Sequence, residues 1–298
     1  MIISANGLVF NEYGDTLLVR RDDTRSLAPP GGAVELGELP PQTVEREVKE
    51  ETGLDVTAVR LVELTYLPSK PDNYLFLSFR ALPRGGTIEP SSETPQVGFF
   101  KSYPLPQPML PLHRRQIERG IAHPGGAPYW ETHEMGLMLR LGSRLLNKLV
   151  YPFLGLRRKQ RGEPAYEAPP DWQITSTVLV HRGHDELLWL RSGNEERWHL
   201  PTAVAHPGET PWAAAERALA DANLGPLELT GICGIYPAHA TPTMTFAFSA
   251  GTEPTPQVSG STAAYYRAGS EPDGAENLHI AQARDATDGT EEVHFRLI

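Results

Sequence analysis

Sliding the chain against itself by 171 residues sets ISANGLVFNEYGDTLLVR, from Ile3, onto ITSTVLVHRGHDELLWLR, from Ile174, without a gap. Over residues 3 to 54 the identities include Leu8/Leu179, Leu17/Leu188, Arg20/Arg191, Pro30/Pro201, Gly37/Gly208, Glu38/Glu209, Pro40/Pro211 and Arg46/Arg217. A duplication constrains a fold more than any composition does, because whatever one copy becomes the other must approximate. The 298 residues leave room for two domains of ordinary size, each with its own core. Downstream the match loosens but keeps its order: TYLPSKPDNYLFLSFRA faces GIYPAHATPTMTFAFSA, and LPLHRRQ faces ENLHIAQ. Alternation predicts half-buried strands at Tyr74 to Phe79 and Met244 to Phe248, and a helix start near His113. The paired His113 and His279 read as a shared structural feature rather than as two bases.

The copies occupy residues 1–124 and 171–298, and residues 125–170 match neither. That segment begins and ends proline-rich, as HPGGAP and EPAYEAPPD, and reads there as linker. Its middle, residues 135–161, sets Leu137, Leu141, Leu145 and Leu149 four apart beside a basic stripe, followed by Arg157, Arg158, Lys159 and Arg161. The expectation is a basic amphipathic helix that docks its leucines on a domain or makes weak contact with an anionic membrane surface.

The first copy concentrates acid in the stretch Gly32 to Leu54, GAVELGELPPQTVEREVKEETGL. Pro40 and Pro41 suit a first helical turn, Gly53 suits the left-handed position after the last, and Val44 and Val48 share a face. At about 100° per residue, Glu47, Glu50 and Glu51 border that buried seam while Arg46 takes the outer side. Three carboxylates beside apolar residues repel one another and lose hydration, so the arrangement asks for a cation. Hard oxygen donors without His or Cys suit Mg²⁺ or Mn²⁺, ions that complete their shell with water and phosphate oxygens.

Written G-x5-E-x7-R-E-U-x-E-E-x-G-U, with U aliphatic, the stretch matches at Gly32, Glu38, Arg46, Glu47, Val48, Glu50, Glu51, Gly53 and Leu54. In this it resembles the signature box of the Nudix hydrolases without a departure. The resemblance implies two Nudix-like α/β domains, each a mixed sheet between helices in an α/β/α sandwich, joined by a helical linker. It implies that Glu47, Glu50 and Glu51 bind the divalent ions and that water attacks one phosphorus of a nucleoside diphosphate derivative. Glu50 or Glu51 would take the proton from that water. Gly31 and Gly32 let backbone approach the ion, with a carbonyl of Gly31 as a candidate ligand, and Arg46 can hold Glu38 and so fix the loop to the helix. A further acid in this family often comes from a later loop, and Glu93, in PSSETPQVGFF, has that setting. Arg20, Arg21 and Arg25 are candidates to meet phosphate or base, with plain solvation the competing reading.

The second copy departs where the chemistry would be. Ala218 stands for Glu47, Asp221 for Glu50 and Ala222 for Glu51, while Ala203 replaces Gly32 and Leu224 replaces Gly53. Its helix instead gathers Ala215, Ala218, Leu219 and Ala222 on one apolar face. A noncatalytic second half is expected, meeting the first as a pseudo-dimer within one chain. The leading reading is an enzyme, a Mg²⁺-dependent pyrophosphohydrolase acting on a nucleotide sugar, an ADP-ribose-like compound or a nucleoside triphosphate. The alternative is a sensor or scaffold that binds a nucleotide without turnover. A net charge of −10 argues against general nucleic-acid binding. One cysteine, Cys233, excludes an internal disulfide and fits a reducing compartment. The opening MIISANGLVF lacks a basic start and reads as a strand, which makes a cytoplasmic location the expectation.

Overall fold

A computed structural model of the chain describes residues 1–21, 24–69, 72–90, 94, 96–134, 168–183, 185–191, 197–225, 227–251, 262–287 and 292–298. The first copy runs β1 (Ile2–Val9), β2 (Thr16–Arg20), β3 (Leu27–Ala28), β4 (Gly31–Ala33), α1 (Pro40–Thr52), β5 (Leu54–Leu67), β6 (Tyr74–Gly86), β7 (Val97–Phe100), α2 (Pro111–Ala122) and β8 (Tyr129–Thr132). The second runs β9 (Gln173–Arg182), β10 (Glu186–Arg191), β11 (Trp198–His199), β12 (Thr202–Val204), α3 (Pro211–Asp221), β13 (Leu229–Pro237), β14 (Thr243–Ala250), β15 (Ala263–Arg267), α4 (Asn277–Asp285) and β16 (His294–Phe295).

Each copy builds the same mixed sheet. In the first the order is β4-β1-β6-β5-β8, with β1 parallel to β6, β5 parallel to β8, and the remaining pairs antiparallel. In the second, β12-β9-β14-β13-β16 repeats those directions pair for pair. The small sheet β3-β2-β7 likewise returns as β11-β10-β15, there tied to the main sheet through β9. Strand β8 lies past residue 124, where the sequence suggests that the first copy ends. It is the counterpart of β16, so the first sheet extends to residue 132 and the opening of the expected linker belongs to it. The basic amphipathic helix expected at 135–161 lies outside the described residues.

Helices cover both faces of the first sheet. Val44 and Val48 of α1 pack with Ile3, Ala5, Leu77 and Phe79, whereas Ile117 of α2 packs with Leu8, Phe10 and Val62. Two covered faces explain why the strands are more buried than their alternation suggests: Leu77, Ser78 and Phe79 are all enclosed, as are Met244 to Phe248. The copies also share a core. The cluster around Val44 and Val48 continues without a break into Ile174, Ala215, Leu219 and Phe246 of the second copy. Contacts across the junction come in reciprocal pairs. Trp130 of β8 meets Phe248 of β14 edge-on at 6.1 Å, and Phe295 of β16 meets Phe79 of β6 at 5.4 Å. The Tyr66 hydroxyl donates to the Gly208 carbonyl at 2.9 Å, while His239 of the β13–β14 turn lies against Gly37. Gly37 and Gly208 hold the same place in the two copies, in the loop that leads into the box helix.

Candidate active site

The acidic stretch folds as its punctuation predicts. α1 opens on Pro40 and Pro41 and closes on Gly53 in the left-handed region, φ 78°, whose N–H returns to the Lys49 carbonyl. A side chain at Gly53 would also strike the Thr87 carbonyl. Glu45 accepts from the Ala58 N–H at 3.1 Å and so ties α1 to β5.

Arg46 is the centre of the local order. Its Nε and Nη2 hold the two oxygens of Glu38 at 2.8 and 3.1 Å, and Nη2 also reaches the Ala33 carbonyl at 3.3 Å. Thr43 Oγ1 and the Glu35 N–H add donors to Glu38. Burial pushes the Glu38 carboxyl up, but these hydrogen bonds outweigh it and hold the group below the ordinary carboxylate range. A two-nitrogen clamp of this kind locks the loop 33–38 to the helix.

The third Arg46 nitrogen, Nη1, approaches Glu47 at 2.8 Å and Glu50 at 3.4 Å. Glu51 accepts from the Gly31 N–H at 2.9 Å. Glu47 is largely enclosed, and burial raises its pKa; Arg46 opposes that shift, and the Glu50 and Glu38 charges add to it. With the carboxylates drawn to these partners, no three acidic, His or Cys side chains among the described residues converge on one point. Their chemistry nonetheless fits a hard divalent ion. All three are oxygen donors of one sign, one of them is desolvated, and a Cβ at Gly32 would overlap the Glu47 carboxylate, so glycine there keeps a cradle clear. A Cβ at Gly31 would likewise strike the Ala5 carbonyl of β1, which explains that glycine by close backbone approach.

Of the remaining candidates, Arg20 ends β2 and donates to Gln96 at 3.2 Å, while Arg21 and Arg25 are exposed on the following loop. Glu93 lies outside the described residues.

The second copy keeps the clamp and loses the acids. Arg217 holds Glu209 at 3.0 and 2.8 Å and the Val204 carbonyl at 2.8 Å, and the His206 N–H donates to Glu209, the same contacts as in the first copy except that Ala214 stands for Thr43 and gives no hydroxyl. Ala218 is buried where Glu47 stands, and Asp221 sits 3.7 Å from Arg217 much as Glu50 sits by Arg46.

The sequence profile of the NUDIX domain matches residues 2–124. A MutT-like protein of Streptomyces ambofaciens is 30% identical over 132 residues, 44% of this chain and 83% of that protein. The chain belongs to the Nudix family. A Bacillus subtilis protein provisionally named an 8-oxo-dGTP diphosphatase is 31% identical over 110 residues, 37% of this chain and 73% of its own. The crystal structure of an ADP-ribose pyrophosphatase from Streptococcus suis is 30% identical, covering 45% of this chain and 98% of its own, with a TM-score of 0.35. The protein is therefore a Nudix pyrophosphohydrolase, of a family whose members use divalent metals and act on small nucleotides.

One feature of this Nudix protein escapes sequence reading. Glu63, in the apolar run LVELTYL, is buried and held by Arg119 at 3.0 Å and Thr65 at 2.5 Å, with Arg119 and Arg115 also on Glu131 of β8. The paired histidines prove buried. His279 lies between Leu200 and Thr202, and burial, with the nearby His199, pushes its pKa down to about 4. His113 meets the enclosed Gln116 at 3.2 Å. Among the described residues no helix is long and apolar enough to cross a membrane.

Proposed function

We propose that the first copy hydrolyses the pyrophosphate bond of a nucleoside diphosphate derivative, with Mg²⁺ or Mn²⁺ held by Glu47, Glu50, Glu51 and the Gly31 carbonyl. The candidate substrates are a nucleotide sugar, an ADP-ribose-like compound or a nucleoside triphosphate. The observation that carries the reading is the contrast between two equal clamps. Glu38–Arg46 and Glu209–Arg217 hold their loops by the same bonds, yet only the first loop faces a row of carboxylates. When bound, a divalent ion supplies Lewis-acid polarisation of the phosphoryl oxygens. The chain's own residues do the rest. Arg46 fixes the distance between loop and helix, Gly32 leaves room for Glu47, and Glu50 or Glu51 accepts the proton of the attacking water. Glu93 is the candidate for an additional acid, and Arg20, Arg21 and Arg25 for contacts to the substrate.

The second copy is the noncatalytic half of a pseudo-dimer. The reciprocal aromatic pairs and the paired loop contacts at Gly37 and Gly208 support this reading, because one surface serves each copy in the same way. Its role is to cover the shared core and to hold the loop that enters α1.

Phosphate release from a panel of nucleoside diphosphate derivatives, with and without Mg²⁺, tests the proposal. Glu51→Gln should fold as the wild type does and turn over slower by orders of magnitude, since a neutral amide is a poor ligand for a hard cation and a poor base. A variant that retained wild-type turnover and metal response would remove Glu51 from the site. Binding of a nucleotide without turnover of any panel member would favour the sensor reading.

A further inference from the structure

The face of the first sheet beneath α2 carries a pair of charges that the catalytic reading does not use. Arg60 of β5 and Arg80 of β6 are direct cross-strand partners, both half-buried. Like charges set opposite each other on a strand pair repel, and here they do so partly out of water. The acids of this face, Glu63 and Glu131, pair with Arg119 and Arg115 and form no ion pair with Arg60 or Arg80, although each keeps one buried oxygen without a hydrogen-bond partner. Among the described residues neither Arg60 nor Arg80 has an ion pair, and Arg60 Nε is buried without a hydrogen-bond partner. Arg80 rests on the Phe10 ring, 4.1 Å from its centre, which fixes its plane but leaves its donors unspent. Burial pushes the Arg80 pKa down, and the Arg60 charge pushes it further.

The turn after α2 closes over the pair. A Cβ at Gly125, φ 115°, would come within 3.4 Å of Arg60 Nη1, so this turn runs close against the guanidinium. His123 beside it gives Nε2 to the Ala127 carbonyl, and its pKa is lowered by burial and by the Arg60 charge. The second copy shares the strand register but places Gly231 opposite Ser249, with no charge at either position. The arginine pair is thus a property of the first copy and not of the fold.

We propose that Arg60 and Arg80, roofed by the turn at His123–Gly126, bind a phosphate-type oxyanion on the α2 face of the first sheet, the face opposite the box helix. Two planar donor forks without acidic partners suit a tetrahedral oxyanion, which would accept from their outer N–H groups and cancel the repulsion. The site is separate from the carboxylates of α1, so its test does not depend on turnover.

The test is thermal unfolding in EDTA at fixed ionic strength, with inorganic phosphate exchanged for chloride. The wild type should gain a few °C with millimolar phosphate, as expected for a ligand that binds only the folded state. Arg60→Gln should lose that gain and, without phosphate, unfold no lower than the wild type, because the repulsion is gone. Arg114→Gln, on the exposed side of α2, should keep the full gain and serves as the control for general charge effects. A wild type indifferent to phosphate overturns the proposal, as does an equal gain in wild type and Arg60→Gln. Should Arg60→Gln not fold, Arg80→Gln is read by the same criterion, and a gain equal to that of the wild type is again decisive against the site.

Discussion

Arg46 divides its guanidinium between structure and chemistry. Two nitrogens are committed to Glu38 and the third reaches Glu47 and Glu50, so one side chain both builds the loop and neutralises part of the acid row. The sequence makes the Glu38 contact legible, because an outward-facing arginine eight residues from an acid across a tight loop has few other partners. It does not make legible that the same arginine draws Glu47 and Glu50, since helical projection gives the direction of a side chain and not the reach of its neighbour. Glu38 has a pH signature whose sign follows from its lowered pKa. A depressed carboxylate contributes stability above its unfolded value, near 4.5, and that contribution is lost as pH falls through the folded value. Glu38→Gln should therefore destabilise the protein by about 1–3 kcal/mol at pH 7. The difference from wild type in urea unfolding should shrink as pH drops below 4.5. A difference that stays constant down to pH 3 would mean that the clamp owes its strength to shape and not to charge.

At the scale of elements, α1 is readable from Pro40, Pro41, Gly53 and its paired valines, and α3 from the apolar face of Ala215, Ala218, Leu219 and Ala222, and both helices fall there. β8 was not readable. Its four residues, YWET, follow the Pro/Gly-rich HPGGAP that reads equally well as the start of a linker, and they pair in parallel with β5, more than sixty residues away in the chain. Glu63 was hidden for the same reason, since its partner Arg119 is supplied by α2. The contrast between α1 and α3 yields a prediction about restoration. Ala218→Glu with Ala222→Glu returns two acids to the second helix, but Ala218 is 3% exposed and Ala203 now puts a methyl where Gly32 leaves room for Glu47. The double variant should lose several kcal/mol of stability through a buried, unpaired charge and should gain no metal-dependent turnover. Denaturant midpoints and phosphate release measured side by side decide this, and a second active site in the variant would show that acids alone are sufficient.

For the whole molecule, the duplication was plain in the sequence, but the depth of the junction was not. Matching two copies shows that they share a fold. It does not show that Trp130 and Phe295 lie on the partner copy's β14 and β6, or that one apolar cluster runs through both. A fragment of residues 1–134 would uncover Phe79, Trp130 and the flank of Tyr66 to water, leaving an apolar patch of the kind that drives association. It should run as a dimer or larger in sedimentation at micromolar concentration, whereas a monomer with wild-type solubility would mean that the second copy is dispensable to the core.

The clamp retained in the second copy has a consequence for how the two halves drifted apart. Glu209 and Arg217 still hold each other as Glu38 and Arg46 do, although nothing in their loop is left to hold a metal. Within one chain the pair that shapes the loop stands in both halves and the full row of acids in one, so the two demands on the box are separable. Possession of the clamp is therefore no guarantee of the acid row, and in this tandem protein the glutamates, not the arginine, are what distinguish the two halves.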